Sequence, residues 1–363
     1  MARGAGKQNG GEGFTLGGTS VAPGTRAIVD LPISNLYDHT PVTMTVQVVN
    51  GRRPGPRLFV CAALHGDEIN GVEVIRRLLR EPVLEDLAGT LMAIPIVNVF
   101  GFLAGSRYLP DRRDLNRSFP GSPNGSLAGR LAHVFLREIL ERATHGIDLH
   151  TAAIHRANYP QIRANLDDEE TLRLARAFGV DVVINAGERD GSLRQQAAKR
   201  HIPVLVYEAG EALRFEESSI VAGVKGVKGV MQALGMLPPG TVPAAAEPIL
   251  ARSSTWVRAP IGGILRTDVP LGRHVEAGER LGIVGDPYGV NEVPVVTRTA
   301  GLVIGCTHLP SVNAGDALFH IVDVTGVKAD AVALDAADIV APDSPDNEAI
   351  QAFEAHEQSA MYD

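Results

Sequence analysis

A histidine and a glutamate three residues apart, His65 and Glu68, are the pair of side chains in this sequence around which a metal site could be organised. They follow an apolar run at residues 58–64 and precede residues 70–80, whose apolar side chains recur at helical spacing. The pair therefore lies at the carboxyl end of a predicted strand, where open α/β sheets place their sites. An imidazole and a carboxylate suit Zn²⁺ once a distant third ligand is added, although this spacing also occurs in many solvated loops.

Other polar groups follow other predicted strands. His150 ends the apolar run 146–150 and is the candidate third ligand, with an ordinary loop histidine as the alternative. Glu208 ends the run 202–208, where a carboxylate is either a surface group or one that is paired or functional. Guanidinium, amide and carboxylate groups gather in a Gly- and Pro-rich stretch between these elements, and their number favours a site over solvated side chains: Arg107, Asp114, Asn116 and Arg117.

Taken in order, these motifs resemble the succinylglutamate desuccinylase/aspartoacylase family of the zinc carboxypeptidase superfamily. The resemblance covers about residues 57–235 and rests on six motifs in register, each of them unspecific by itself. It implies one Zn²⁺ per chain, with His65, Glu68 and His150 as the ligands. It also implies that Glu208 is the general base that activates water.

The same resemblance assigns roles to the residues of the loop. By it, Arg107 stabilises the oxyanion, Asn116 and Arg117 hold a substrate carboxylate, and Asp114 orients the first histidine ligand. Arg194 stands upstream of the base much as a second substrate-contacting arginine does in aspartoacylases. Its spacing differs, however, and an exposed arginine at the start of a helix is the alternative.

Elementary chemistry is consistent with these roles. Two neutral imidazoles and one carboxylate leave Zn²⁺ a net positive charge and an open position, which lowers the pKa of bound water to about 7. A carboxylate such as Glu208 can take a proton as the nucleophile attacks an amide and return it to the leaving amine. A fixed arginine stabilises the oxyanion, and a planar guanidinium grips a carboxylate through two hydrogen bonds.

The order of strand-like and helical patterns predicts an α/β fold. From residue 57 onward they alternate, which indicates a sheet with many parallel strands and helices on both faces, and the resemblance implies the mixed sheet of zinc carboxypeptidases. Residues 1–24, rich in Gly, Ser and Thr, predict a loose leader, and the alternating runs between residues 25 and 50 predict a hairpin. We therefore place a zinc hydrolase domain at residues 25–236 and a Pro- and Ala-rich linker at 237–248.

Beyond the linker the helical period disappears, and residues 249–325 predict a small all-β domain. The phrase Val-x-Ala-Gly-x-x-Leu occurs twice, at residues 275–281 and 312–318, so we expect two similar units packed into one barrel or sandwich. A distant likeness to biotinyl and lipoyl carriers does not extend to function, because residues 229–327 contain no lysine. The domain is better interpreted as a cover that narrows the cleft or as an oligomer contact.

Charge and composition exclude several classes of partner. The formal net charge is −8, and the acidic tail at residues 326–363, with nine acidic residues against Lys328, accounts for all of it. The rest is neutral overall, which gives no reason to expect nucleic acid or an anionic membrane. No apolar run approaches the roughly 18 residues of a membrane span. Cys61 and Cys306 lie in strand-like runs and predict buried free thiols, so we expect a cytoplasmic protein.

The sequence thus predicts a zinc-dependent amidohydrolase that cleaves an N-acyl amino acid into a carboxylate and a free amino acid. The alternative is a metallocarboxypeptidase acting on short peptides, since the same ligands, base and arginines would serve. A zinc-binding scaffold without turnover is a third hypothesis, and it needs neither the base nor the oxyanion arginine. The expected partner is a small N-acyl amino acid, and a homo-oligomer is compatible with the sequence.

Overall fold

The computed structural model describes residues 13–323, which form a wide mixed β-sheet, a four-stranded sheet and a short hairpin. Within that range the strands are β1 (Phe14–Leu16), β2 (Thr19–Val21), β3 (Thr25–Asn35), β4 (Pro41–Asn50), β5 (Arg53–Ala62), β6 (Ala88–Ile94), β7 (His145–His150), β8 (Arg156–Ala164), β9 (Val182–Asn185), β10 (Val204–Gly210), β11 (Ile249–Ala251), β12 (Ser254–Arg258), β13 (Gly263–Thr267), β14 (His274–Val275), β15 (Arg280–Gly285), β16 (Glu292–Val296), β17 (Gly301–Thr307), β18 (Ser311–Val312) and β19 (Ala317–Val322). The helices are α1 (Asn70–Leu78), α2 (Val99–Leu103), α3 (Leu127–Val134), α4 (Glu169–Phe178), α5 (Leu193–Ala198) and α6 (Glu217–Ala233), and short 3₁₀ or π turns lie at Pro82–Asp86, Leu115–Arg117, Phe135–Ile139 and Leu140–Arg142.

The large sheet has a parallel centre and antiparallel flanks. Its strand order is β12-β19-β17-β8-β10-β7-β5-β6-β4-β3. Outside this order, β9 pairs with β8 and β11, and β14 pairs with β17. Strands β10, β7, β5 and β6 run parallel to one another, while β3, β4, β8, β17, β19 and β12 pair antiparallel with their neighbours along the path. The predicted α/β fold with a mixed sheet is confirmed.

Both faces of the sheet are covered, which explains why its central strands are apolar without alternation. In β5, Val60 lies in the core that also contains side chains of α1, α4 and α6, whereas Phe59 and Cys61 lie in a second core with side chains of α3. The helices begin and end at residues suited to caps: Asp168 accepts a hydrogen bond from the backbone of α4, and Gly179 ends that helix at φ +79°.

The amino-terminal segment differs from the predicted loose leader where the structure describes it. Strands β1 and β2 form an antiparallel hairpin in which Leu16 and Val21 are buried in the second core. The backbone nitrogen of Gly17 donates a hydrogen bond to Glu138 at 3.2 Å. Burial of apolar side chains thus gives residues 13–24 a defined structure despite their Gly-, Ser- and Thr-rich composition. Residues 1–12 lie outside the described range.

The two copies of the repeated phrase adopt the same local structure, as predicted. Each runs from a two-residue strand (β14 or β18) through a turn into a longer strand (β15 or β19), with Gly278 at φ +89° and Gly315 at φ +88°. The units exchange strands, because β14 pairs with β17 of the second unit while β18 pairs with β13 of the first. The valine and the leucine of each copy are buried in one third core, which explains why both copies have apolar residues at these positions: Val275, Leu281, Val312 and Leu318.

These β units are joined to the α/β part by hydrogen bonds between strands. Strand β17 pairs with β8, β19 and β12 continue the large sheet from there, and β11 pairs with β9. The described residues belong to one compact unit. The division at residues 237–248 into separate domains stays a prediction, and the acidic tail at residues 326–363 lies outside the described range.

Two smaller expectations can be compared with the structure. Cys61 and Cys306 are both buried free thiols, which confirms that interpretation of the sequence. Among the helices of residues 13–323, none is long and apolar enough to cross a membrane.

Candidate metal centre and substrate cleft

Two histidines and a glutamate meet at the carboxyl edge of the large sheet, and we call these three residues the ligand triad: His65, Glu68 and His150. Glu68 Oε1 lies 2.7 Å from His65 Nδ1, and Glu68 Oε2 lies 2.6 Å from His150 Nδ1. All three side chains are buried, and their candidate ligand atoms lie within 4.8 Å of one another. The group could therefore hold a metal ion.

The local backbone explains why these residues converge. Strands β5 and β7 are adjacent and parallel, with Ala62 opposite Leu149, so the residues that follow them leave the sheet at the same edge. After β5 the chain turns through Ala63 at φ +49° and reaches α1 within a few residues. At Gly66 the loop packs so closely on α2 that an added Cβ would lie 2.0 Å from the backbone of Gly101, so this position requires glycine.

Each histidine of the triad is held from behind by a carboxylate. Asp114 Oδ1 lies 3.2 Å from His65 Nε2, and Asp148 Oδ2 lies 2.8 Å from His150 Nε2. When each Nε2–H donates to its carboxylate, each Nδ1 presents a lone pair toward the side of Glu68. Asp148 received no role from the sequence, although its spacing of two residues from His150 in β7 places both on one face of the strand.

The electrostatics of the triad suit a bound cation. Burial by itself would lower the pKa of His65, but the charge of Glu68 and hydrogen bonds to Asp114 and Glu68 raise it above its ordinary value. Burial likewise opposes protonation of His150, whose pKa the charges of Asp148 and Glu68 raise far above the usual range. Three carboxylates thus surround the two imidazoles with negative charge, which favours a bound cation at this point. The donor set of two imidazoles and a carboxylate fits Zn²⁺.

Arg107 borders the triad directly. Its Nη1 lies 3.1 Å from both Glu68 Oε1 and His65 Nδ1, and its Nη2 donates to Asp114 Oδ2 at 3.0 Å. The side chain is 28% exposed, so the guanidinium is anchored by carboxylates yet still reaches the cleft. The residue predicted to stabilise an oxyanion is thus adjacent to the predicted metal ligands, and its catalytic role stays a prediction.

Glu208 stands beside the triad on the next strand. Strand β10 runs parallel to β7 with Glu208 opposite His150, so the two side chains project from one face of the sheet. Asn158 donates to Glu208 Oε2 at 2.8 Å, and Arg163 Nε lies 3.3 Å from Glu208 Oε1. Sequence reasoning did not identify Asn158 or Arg163, because their approach to Glu208 depends on the antiparallel pairing of β8 with β10.

The residues predicted to contact substrate lie along the same cleft. Asn116 Oδ1 accepts a hydrogen bond from the backbone of Leu193 at 3.0 Å, which ties it to the start of α5. Arg117 is exposed and donates to the carbonyl of Asn116 at 2.6 Å. Arg194 donates to the carbonyl of Gly187, and its Nη1 is buried without a hydrogen-bond partner among the described residues. Burial lowers the pKa of Arg194 below that of a free arginine.

One cleft of about 280 Å³ brings the predicted residues together. Asp114 alone does not line it, since it lies behind His65. Six arginines and three carboxylates line the cleft, an excess of positive charge that favours an anionic ligand. The lining residues that the sequence did not reveal as candidates include Arg156, Asn158, Arg163, Arg189 and Trp256.

Comparison with known proteins identifies the family. Residues 54–234 match the family model described as succinylglutamate desuccinylase/aspartoacylase catalytic domain. The N-alpha-acetyl-L-2,4-diaminobutyric acid deacetylase of Halomonas elongata is 29% identical over 308 residues, which cover 81% of this chain and 90% of the relative.

Solved structures show the same fold. A succinylglutamate desuccinylase/aspartoacylase from Rhodobacter sphaeroides is 26% identical with a TM-score of 0.73, and the match covers 82% of this chain and 95% of that one. The product-bound ectoine utilization protein EutE from Ruegeria pomeroyi is 24% identical with a TM-score of 0.73 and the same coverage, a likeness of fold alone. The sequence match, the shared fold and the ligand triad agree, and the chain belongs to the succinylglutamate desuccinylase/aspartoacylase family.

Proposed function

We propose that this chain hydrolyses the amide bond of an N-acyl amino acid and releases a carboxylate and a free amino acid. The observation that carries the proposal is the meeting of the ligand triad, Glu208 and Arg107 in one cleft of about 280 Å³. The deacetylase relative from Halomonas elongata supports the reaction class. The excess of arginines in the lining supports a substrate that carries a carboxylate.

The proposed cofactor is one Zn²⁺ per chain, held by His65, Glu68 and His150. When bound, the ion supplies a Lewis acid that polarises a carbonyl oxygen and acidifies water. The contribution of the chain is to fix the imidazoles: Asp114 and Asp148 accept hydrogen bonds at the Nε2 atoms and keep the Nδ1 atoms directed toward the shared centre.

In this proposal Glu208 is the general base. Its carboxylate takes a proton from the attacking water and returns it to the leaving nitrogen as the C–N bond breaks. The hydrogen bond from Asn158 and the ion pair with Arg163 support this role, because they hold the carboxylate toward the cleft on the strand next to His150.

Arg107 is the proposed donor to the oxyanion of the tetrahedral intermediate. Its guanidinium is anchored through Nη2 to Asp114 and lies within 3.1 Å of Glu68, so it needs little reorganisation as negative charge develops nearby. A donor fixed in this way stabilises the transition state more than the neutral carbonyl of the substrate.

Asn116 and Arg117 are the proposed binding site for the carboxylate of the substrate. The amide oxygen of Asn116 is occupied by the backbone of Leu193, which leaves its NH₂ group to donate. Arg117 beside it adds an exposed guanidinium that can bind a carboxylate through two hydrogen bonds. Arg194, with a buried Nη1 that has no partner in the described part of the chain, is the next candidate for this task.

A screen of turnover tests this function. The zinc-loaded protein is incubated with N-acetyl and N-succinyl amino acids and, in parallel, with short peptides, and release of free amino groups is measured. We expect hydrolysis of at least one N-acyl amino acid and little cleavage of peptides. Cleavage of peptides alone would support the carboxypeptidase alternative, and no turnover at full zinc occupancy would contradict a hydrolase.

A further inference from the structure

Three side chains from distant parts of the chain form a stack at the wall of the cleft, and we call them the stacked wall: Arg156, Trp256 and His320. The ring of Trp256 lies 4.5 Å from that of His320 with an angle of 6° between the planes. The Cζ atom of Arg156 lies 5.4 Å from the centre of the Trp256 ring, within the range of a cation–π interaction. Arg156 and Trp256 both line the cleft.

The stack is fixed from behind. His320 lies opposite Trp256 in the pairing of β12 with β19, and its Nε2 lies 2.9 Å from the hydroxyl of Ser254. Burial, with a smaller contribution from the charge of Arg163, lowers the pKa of His320 to about 4. The imidazole is therefore neutral near pH 7, so the ring stacked on the indole adds no positive charge of its own to weaken the attraction for Arg156.

Of the six arginines that line the cleft, two have carboxylate partners, and Arg156 is among the four that make no ion pair within residues 13–323. Arg107 is paired with Glu68 and Asp114, and Arg163 with Glu208, whereas within residues 13–323 the Arg156 guanidinium makes no ion pair. A cation kept in a cleft without a counter-ion, and held against one face of a fixed ring, is ready to bind an anion.

The position of Arg156 relates it to the proposed chemistry. It lies two residues before Asn158 on β8, and Asn158 holds Glu208 through a hydrogen bond of 2.8 Å. Residues two apart in a strand project to the same face about 7 Å from each other. The guanidinium is therefore within reach of a substrate group that extends past Glu208 toward β12.

We propose that Arg156 is a specificity-determining residue that binds a carboxylate of the substrate at the stacked wall, and that Trp256 is the positioning residue that holds it there. The proposal rests on the function given above and deepens it: a substrate that occupies both Arg117 and Arg156, which line the same cleft, carries two anionic groups. Because Trp256 belongs to β12, the carboxyl-terminal β units then contribute to substrate selection through one side chain.

Trp256 is the one tryptophan of the chain, so intrinsic tryptophan fluorescence reports on this wall alone. The zinc-loaded protein is titrated with succinate as the dicarboxylate probe and with propionate as the monocarboxylate probe. We expect saturable changes in emission, with succinate bound about 10- to 100-fold more weakly by Arg156→Gln than by wild type, the usual cost of losing hydrogen bonds to a charged group. Propionate should bind wild type more weakly than succinate, because a single carboxylate cannot occupy Arg117 and Arg156 together.

Control variants separate binding from folding. Arg252→Gln removes an arginine that lies between β11 and β12, is 66% exposed and is paired with Asp167, and this variant should bind succinate as wild type does. Arg156→Lys keeps the charge and should recover part of the affinity. Unchanged succinate affinity in a folded Arg156→Gln protein with full metal content would overturn the assignment of Arg156.

Kinetics test the positioning role of Trp256. For a substrate with two carboxylates, Trp256→Leu should raise KM several-fold with kcat nearly unchanged, and Trp256→Phe, which keeps an aromatic face, should restore much of the loss. Equal KM values in the two variants would overturn the positioning role. The titration does not depend on turnover, so a chain that binds succinate through Arg156 but hydrolyses no amide would contradict the proposed function and leave this inference standing.

Discussion

The ligand triad is fixed by neighbouring strands of the large sheet, whereas the stacked wall is assembled from strands that are far apart in sequence. His65 and His150 follow or end the adjacent parallel strands β5 and β7, and each has a carboxylate behind it. Arg156 and Trp256 come from β8 and β12, which meet only through β17 and β19. The ligand triad is thus built from short local motifs, and the stacked wall from long-range pairing.

The difference separates two tasks that can change independently. Metal binding requires a few side chains at close distances, so it depends on the rigid centre of the sheet. Substrate selection depends on which groups line the rest of the cleft, and here those groups lie in strands and loops at the sheet's flank. Substitutions in the ligand triad should therefore lower metal content, whereas substitutions in the stacked wall should lower substrate affinity.

The largest effect is expected at the triad. His150→Ala removes one of three ligands, so most of the zinc should be lost and turnover with it. Elemental analysis of the purified variant measures this directly. The matched control is Arg156→Gln in the stacked wall, which should keep its metal. A zinc content equal to wild type in His150→Ala would remove His150 from the ligand set.

The next effect concerns the proposed base. Glu208→Gln should keep the metal and the fold but lose about 10²- to 10⁴-fold in kcat, the range of general acid–base catalysis. Glu276→Gln, at an exposed carboxylate of the β units, should have no effect and serves as the control. If the metal content fell in Glu208→Gln, the residue would be a ligand, and the separation of the base from the triad would be wrong.

The carboxylates behind the histidines should have intermediate effects. Removing such a partner typically costs about 10- to 100-fold in metal affinity. Asp148 is almost fully buried and lies 2.8 Å from its histidine, whereas Asp114 is 16% exposed and lies at 3.2 Å. We therefore expect a larger loss in Asp148→Asn than in Asp114→Asn, measured by competition with a chelator. The reverse order would mean that burial does not set the strength of these contacts.

A comparable loss is expected for the proposed carboxylate site. Arg117→Lys keeps the charge but not the planar fork, so kcat/KM on the acid substrate should fall by about 10- to 100-fold. On an analogue in which that carboxylate is a primary amide, wild type and variant should differ far less, because the interaction is already absent. Equal losses on both substrates would show that Arg117 is structural and would direct attention to Arg194.

The last expected effect is on the pH dependence of stability rather than on metal content or turnover, and it belongs to the stacked wall. The pKa of His320 is lowered to about 4, so between pH 6.5 and 4 the unfolded chain binds a proton that the folded chain does not. This part of the stability is complete above pH 6.5 and is lost as the pH falls, by on the order of 2–4 kcal/mol in total. His320→Gln should flatten the fall of unfolding free energy between pH 7 and 4.5, relative to wild type and to the exposed-site control His274→Gln. Equal slopes in all three proteins would contradict a neutral buried imidazole.

The sequence predicted the residues of the ligand triad because their motifs are local. His65 and Glu68 stand three residues apart after an apolar strand, and His150 ends another. Alternation along β7 also places Asp148 on the same face as His150. A single carboxylate in an apolar run is a weak signal, however, and it predicted no role for this residue.

The sequence could not predict the partners of Glu208 or the stacked wall. Arg163 approaches Glu208 through antiparallel pairing, and Trp256 faces His320 across strands that no short pattern connects. Composition likewise indicates a linker at residues 237–248 but cannot predict that β17 pairs with β8. Local spacing predicts which side chains can do chemistry, and long-range pairing decides which of them share a cleft.

The pairing of β17 with β8 also sets an order in which the cleft is completed during synthesis. The hydroxyl of Thr307 bonds to the carbonyl of His155, 152 residues earlier in the chain. A ribosome that has passed Glu208 has produced the whole ligand triad and the proposed base, while the start of β8 is still an unpaired sheet edge. Until β17 and β19 emerge, the nascent chain has the residues for binding a metal but lacks the wall that selects a substrate.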